Sequence, residues 1–284
     1  MKEKIHNAIL DMMKKVEFAE DGHTYRDTTT DTWLQGVSSV SSIIPKEWLS
    51  AWGAKEAVKF LGYSDYEGDT ELAQEMMKKI SELKTPEEFI ALLKEAKGAS
   101  SRKSKTALVD GKEGHAWLES YVKAKIRGQE PPTPATMLER PLKQFLEWEL
   151  KNVSEWILAE ARVAYPEKKY AGTLDAMAIM KNGALAIIDF KFASNVSSDY
   201  KLQTAGYQAT FEPYGIEIDE RIVIRLPKTL EKEEYNKEER KYYMIPNNIE
   251  PVTYTKDTYE WDRDTFFHAL PLKKWINNEL NNNK

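Results

Sequence analysis

The stretch Ala184-Leu185-Ala186-Ile187-Ile188-Asp189-Phe190-Lys191-Phe192 decides how the rest of the chain is read. Five apolar residues run into an Asp and a Lys two positions apart. Side chains alternate across a strand, so Asp189 and Lys191 share one face at the end of an otherwise apolar element. A buried core has no use for that pair, whereas a chemical site does. Alone, Asp-x-Lys on a strand is more often a surface pair, so its neighbours must decide.

The preceding β-rich segment carries Gly172-Thr173-Leu174-Asp175 and joins through Lys181-Asn182-Gly183. A two-residue Asn-Gly loop would pair Asp175 with Phe190 and leave the two acids on opposite faces. A three-residue loop with Gly183 in the left-handed conformation sets Asp175 directly opposite Asp189, and this is the expected arrangement. One strand further upstream, a four-residue loop over Pro166-Glu167-Lys168-Lys169 pairs Tyr165 with Tyr170 and places Glu160 opposite Asp175. A bulge beside either acid would alter this register. Three carboxylates in a row repel one another unless a cation lies between them, and hard oxygen ligands favour Mg²⁺ or Mn²⁺. A lysine beside such an ion can orient or help deprotonate an attacking water, or stabilise charge developing on a phosphoryl group.

Working outward, residues 2–18 read as an amphipathic helix and 23–44 as a β-hairpin or irregular strand pair. Helices follow at about 45–61, 69–82, 86–97, 100–127 and 138–151, with Pro45 and Thr85-Pro86-Glu87-Glu88 as start signals. Strands are expected at 156–165, 170–180 and 184–192, then a helix at 199–213. Further strands are expected near 219–226 and 240–246, and an aromatic helix at 257–278 before a polar tail that frays. The expected class is α/β (α+β), with a mixed central sheet flanked by helices and a helical N-terminal region. No boundary is marked, so 1–284 reads as one domain. Its parts are a mainly helical 1–152, a sheet core over 153–250 and a helix with tail over 256–284.

Composition narrows the chemistry. The chain has 284 residues, 41% hydrophobic and 31% charged, with mean hydropathy −0.61, net charge −5 and pI about 5.6. It has no cysteine, which excludes disulfides, thiol nucleophiles and cysteine-held zinc or iron–sulfur clusters. Mixed charge at Met1-Lys2-Glu3-Lys4-Ile5-His6 does not suit a signal peptide, and no apolar run spans a membrane, so a cytoplasmic location is expected. A non-haem iron oxygenase would need a His-x-Asp/Glu pair. Gly36-Val37-Ser38-Ser39-Val40 lacks the closing Gly of a serine-hydrolase elbow. Gly98-Ala99-Ser100-Ser101-Arg102-Lys103-Ser104 lacks the second Gly of a phosphate-binding loop, so no nucleotide is expected.

In the order of the chain, five elements resemble the PD-(D/E)XK nuclease superfamily, specifically its RecB-like, phage and mitochondrial exonuclease branch. They are Gly111-Lys112-Glu113-Gly114-His115 with Glu119 four residues on, Glu160, Gly172-Thr173-Leu174-Asp175, Asp189-Phe190-Lys191, and Gln203-Thr204-Ala205-Gly206-Tyr207. His23-Thr24-Tyr25 to Gly36-Val37-Ser38-Ser39-Val40 is similar to the N-terminal part of phage members. The resemblance implies a restriction-endonuclease-like core and a metal-dependent DNA exonuclease, of phage or bacterial recombination or repair type, leaving 5′-phosphate and 3′-hydroxyl ends. It implies Asp175, Asp189 and Lys191 as catalytic, with one or two Mg²⁺ or Mn²⁺ ions on Asp175, Asp189, His115 and the Phe190 carbonyl. Glu119 and Glu160 stand either as ligands or one shell outside. Gln203 and Tyr207 would touch DNA or buttress the sheet. Here the second acid is Asp189 where much of the superfamily has Glu, and no cluster can form.

DNA is the expected partner, alongside a single-strand annealing or recombination protein, with a homo-oligomer compatible. Over residues 94–127, nine Lys and Arg oppose four acids. Arg102, Lys103, Lys105 and Lys112 are therefore candidates for a phosphate-tracking path, against the plainer reading of a solvated helix face. The competing readings are a structure-specific or nicking endonuclease of the same fold and a non-catalytic DNA-binding protein on a decayed one. Trp117, Trp261, Phe266, Phe267 and Trp275 read as core.

Overall fold

The computed structural model describes residues 1–19, 24–65, 70–133, 139–239 and 241–282. His23 lies outside them. In chain order the elements are α1 (Lys2–Lys15), β1 (Val16–Ala19), β2 (Thr24–Asp27), β3 (Thr32–Gly36), α2 (Val37–Ser41), α3 (Trp48–Phe60), α4 (Glu71–Ser81), α5 (Pro86–Lys97), α6 (Ala99–Arg127) and α7 (Glu139–Asn152). They continue with β4 (Val153–Tyr165), β5 (Tyr170–Met180), β6 (Leu185–Phe192), α8 (Ser198–Ala209), β7 (Glu220–Leu226), β8 (Glu231–Asn236), β9 (Lys241–Pro246), β10 (Glu250–Thr255) and α9 (Tyr259–Asn282).

The chain divides into two compact units. One comprises Met1–Ile44, Gly114–Pro227 and Asn248–Lys284; the other comprises Pro45–Glu113 and Lys228–Asn247. The second unit enters the first twice, inside continuous segments, so no linker composition announces it.

The first unit is built on a mixed sheet in the order β1-β2-β3-β5-β6-β7-β10, with β4 pairing β5 along its other edge. β3–β5 and β6–β7 are parallel and the remaining pairs antiparallel. Helices cover both faces, an arrangement compatible with a restriction-endonuclease-like core. On one face, Ile5, Ile9 and Met12 of α1, Val37 and Val40 of α2, Leu202 and Tyr207 of α8 and Phe266 of α9 pack on Val163, Tyr170, Leu174, Met177, Leu185 and Ile187. On the other, Leu118 and Val122 of α6 and Leu142 and Phe145 of α7 pack on Ala176, Ala178, Ala186, Ile188, Phe190 and Ile224. Two-sided burial accounts for the continuous apolar runs of β6 and β7.

Loop chemistry sets the central register. Met180 N donates to Ala184 O at 2.8 Å and Gly183 N to Met180 O at 2.9 Å. With Gly183 at φ +87°, residues 181–183 form the three-residue loop, and Ala176 pairs with Ile188. Upstream, Lys169 at φ +60° closes the four-residue loop and Tyr165 pairs with Tyr170.

Several elements differ from expectation. α1 stops at Lys15 because Val16–Ala19 pairs with β2. Within the β-hairpin or strand pair expected over 23–44, Val37–Ser41 forms the helix α2 instead. α3 starts at Trp48 rather than at Pro45, and the polar C-terminal segment stays helical to Asn282. β10 begins Glu250-Pro251, an unpromising strand start, but it lies at the sheet edge, where a missing N–H is tolerated. Trp261 and Trp275 are 78% and 60% exposed rather than core.

In the second unit, Thr85 and Glu88 form the capping box that opens α5, with Glu88 N donating to Thr85 Oγ1 at 3.2 Å. Asp65 accepts Lys55 and Lys59 at 2.6 and 2.9 Å. Lys59 also reaches Glu233 on β8 at 3.3 Å.

Candidate active site

The strand β5 has two edges. β4 runs along one; the other is shared by β3, which pairs only Tyr170 and Ala171, and β6, which pairs only Ala176–Ile179. Gly172-Thr173-Leu174-Asp175 therefore lies where β3 and β6 part, and among the described residues its outer edge has no strand partner. Divergence of neighbouring strands is where open α/β sheets expose backbone and side chains to ligands.

Asp175 bridges that gap. Its Oδ2 accepts the backbone amide of Phe190 at 2.8 Å, which ties β5 to β6 one step beyond the last ladder pair. Alternation along β6 then puts Asp189 and Lys191 on the α8 side. Lys191 Nζ lies 2.6 Å from Asp189 Oδ2. His115 of α6 comes in from the other side, with Nδ1 3.9 Å from Asp175 Oδ2.

Two glycines make this approach feasible. A β-carbon on Gly114 would collide with the Phe192 ring, so the absence of a side chain lets α6 settle on the end of β6 and brings His115 edge-on to Phe192, centroids 5.4 Å apart. A β-carbon on Gly172 would stand 2.7 Å from Tyr207 Cε1 and 3.0 Å from Val37. Tyr207 thus packs closely on the strand at Gly172, its hydroxyl accepting Gln203 Nε2 at 2.9 Å. Gln203 and Tyr207 are both buried, and both line the cleft beside the acids.

Glu160 completes the acidic group through an unusual backbone. Its φ is +48°, a left-handed conformation costing a non-glycine residue roughly 1–2 kcal/mol. The register is the same on either side, Ala161 with Leu174 and Ala159 with Ala176, while Glu160 and Asp175 drop out of the ladder between them. The kink also inverts the facing of the strand. Ala161 and Val163 face α1 and α8, but Ala159, of the same parity, faces α6 and α7. β5 matches it, with Leu174 and Met177 on one face. Simple alternation does not contain this inversion.

The electrostatics follow from burial. Asp189 is 1% exposed, and desolvation, with Asp175 nearby, pushes its pKa up to about 6 against the pull of Lys191. Asp175 is raised by the same burial. Glu160 is pushed up to about 7 by burial, then by Asp175 and Glu119. Burial would lower Lys191, but Asp189 and Asp175 outweigh it and hold the ammonium above its ordinary value. Burial and the two aspartates raise the Tyr207 phenol well above its usual range. Glu119, one helical turn after His115, pairs with Lys123, and both line the cleft of about 1170 Å³ with Glu160, Arg162, Phe18 and Tyr25. Tyr25 was not anticipated as a site residue. Its hydroxyl lies 3.0 Å from Thr173 Oγ1, inside the Gly-x-x-Asp element.

The donors suit a hard divalent cation: Asp189 Oδ1 is buried and accepts no hydrogen bond among the described residues, with carboxylate and imidazole beside it. Asp175, Asp189, His115 and the Phe190 carbonyl are the groups that would hold it. Among the described residues, no three His, Asp or Glu side chains converge tightly enough to do so without moving.

The basic residues behave differently from one another. Arg102, Lys103, Lys105 and Lys112 belong to the second unit. Arg102 donates to the Glu95 carbonyl at 2.7 Å and covers the Phe60 ring, and Lys103 pairs with Glu56 at 2.8 Å. Lys105 and Lys112 are exposed. No helix among the described residues is long and apolar enough to cross a membrane.

No family model matches the sequence, and no curated protein matches it. Among solved structures, the chain is similar to LHK-Exo in complex with dAMP, at 10% identity over 60% of this chain and 86% of that one, with a TM-score of 0.27.

Proposed function

We propose that this chain is a metal-dependent deoxyribonuclease that hydrolyses phosphodiester bonds and acts from DNA ends. The observation that carries the reading is the Asp189–Lys191 ion pair held beside Asp175 through the Phe190 amide, at the point where β3 and β6 part. The order of the five sequence elements supports the same reading. A divalent cation held by Asp175 and Asp189 would neutralise the acids and polarise the scissile phosphate. Lys191, ion-paired with Asp189, would orient or help activate the attacking water and offset charge on the phosphoryl oxygens. Water oxygen bonds to phosphorus and releases a proton to solvent, the P–O3′ bond breaks, and the departing 3′ oxygen takes up a proton, so one water is consumed per bond cut. Lys105 and Lys112 supply phosphate contacts in this proposal.

Incubation with linear and covalently closed DNA, with Mg²⁺ or Mn²⁺, tests the reading. Degradation of the linear form alone, lost in Asp189→Asn, is expected. Undiminished activity in Asp189→Asn would sink the assignment, and cutting of closed circles would favour an endonuclease.

A further inference from the structure

Lys191 has a second neighbour that the five elements do not include. Its Nζ stands 5.3 Å from the centroid of the Tyr200 ring, in the first turn of α8. The backbone there is fixed, Tyr200 N donating to Ser197 O at 3.1 Å, and the ring is half-buried. The ammonium is therefore held from two sides, by the Asp189 carboxylate at 2.6 Å and by an aromatic face.

These two anchors differ in one chemical respect. Asp189 is also a candidate metal ligand, and a cation drawing on that carboxylate weakens its hold on Lys191 and repels the ammonium. Tyr200 offers a neutral, electron-rich face that attracts an ammonium without competing for the ion. A lysine side chain has four rotatable bonds, and weakening of one anchor lets it sample more rotamers unless the other holds. We infer that Tyr200 is the positioning residue that keeps Lys191 aimed at the reacting phosphate when Asp189 is engaged by metal. The inference rests on the nuclease reading for its kinetic consequence; the placement of the ammonium against the ring does not.

The test uses the full chain with Tyr200→Phe and Tyr200→Leu. On DNA with Mg²⁺, Tyr200→Leu is expected to lower kcat on the order of tenfold with KM unchanged, and Tyr200→Phe to restore most of the rate. The second readout is NMR of the lysine ε-methylene groups, with Lys191 assigned by Lys191→Arg. Its resonance should be shifted upfield by the ring in wild type and Tyr200→Phe, with and without Mg²⁺, and should return to the ordinary position in Tyr200→Leu. An unshifted wild-type resonance, or one displaced on adding Mg²⁺ to the ordinary position, overturns the inference. So does wild-type kcat in Tyr200→Leu, or equal loss in Tyr200→Phe, which would assign the role to the hydroxyl. If Tyr200→Leu does not fold, Tyr200→Met replaces it in both arms. If wild type cuts no DNA while the ring shift is present, the nuclease reading fails and the placement stands.

Discussion

The backbone amide of Phe190 donates to Asp175 Oδ2 at 2.8 Å, so one carboxylate oxygen is committed to holding two strands together. Asp175→Asn keeps an acceptor for that amide but removes the charge. It is expected to fold with a melting temperature near wild type and to lose DNA hydrolysis by on the order of 10³-fold. Asp175→Ala, which leaves the amide without its acceptor, should also melt earlier. An active Asp175→Asn would show that the charge at this position is dispensable.

Gly114→Ala and Gly172→Ala probe close approach rather than charge. Each added methyl meets a ring, Phe192 in one case and Tyr207 in the other. Overpacking of this kind costs about 1–3 kcal/mol. Gly114→Ala should in addition reduce metal affinity measured by calorimetry, because α6 must lift His115 away from Asp175. Unchanged stability in both variants would contradict the packing described for α6 and α8.

The raised acids predict an inverted pH dependence for the protein in chelator. Asp189, about 6 when folded, and Glu160, about 7, bind protons more tightly in the folded state than in the unfolded chain. Stability contributed by their protonated forms is present below about pH 4 and is lost as pH rises towards 7. Asp27, whose pKa is lowered by Thr29 and Thr30, acts in the opposite sense and only as pH falls below its ordinary value. Thermal melts in EDTA should therefore drop by on the order of several degrees between pH 4.5 and 7.5. Mg²⁺ should restore the loss at the upper end. A melting temperature that rises steadily over this interval in EDTA would be incompatible with buried, mutually repelling acids.

Salt dependence separates the basic residues. Lys105→Ala and Lys112→Ala should each reduce the slope of log affinity against log salt by about 1, with little effect on melting. Arg102→Ala should instead lower the melting temperature, since its guanidinium already serves the Glu95 carbonyl and the Phe60 ring. Filter binding at several salt concentrations, done in Ca²⁺ to hold hydrolysis back, provides the comparison. Equal slopes in wild type and Lys112→Ala would remove that residue from the DNA path.

Much of this geometry was legible because it depends on turns. Gly183 selects the three-residue loop, and the loop fixes which residues of β5 and β6 face each other. What stayed illegible depends on tertiary context. The left-handed Glu160 gives no sign in Ala159-Glu160-Ala161, since only Gly and, less often, Asn announce that conformation. Pro251 argues against a strand until the segment is known to be an edge. Trp261 and Trp275 looked like core by residue type, yet α9 needs only one buried side, which Phe266, Ala269 and Leu270 supply.

The kink at Glu160 has a bearing on how this chain can change over time. Because Ala159 faces the opposite helix layer from Ala161 and Val163, of the same parity, straightening β4 at 160 would turn Leu158 and Ala159 out of their present packing together. A single substitution that favours regular strand at 160 thus confronts both with the wrong neighbours. The acid can be exchanged, but the bend beneath it is locked in by the cores on both sides, and drift at this position is confined to residues that accept a left-handed backbone.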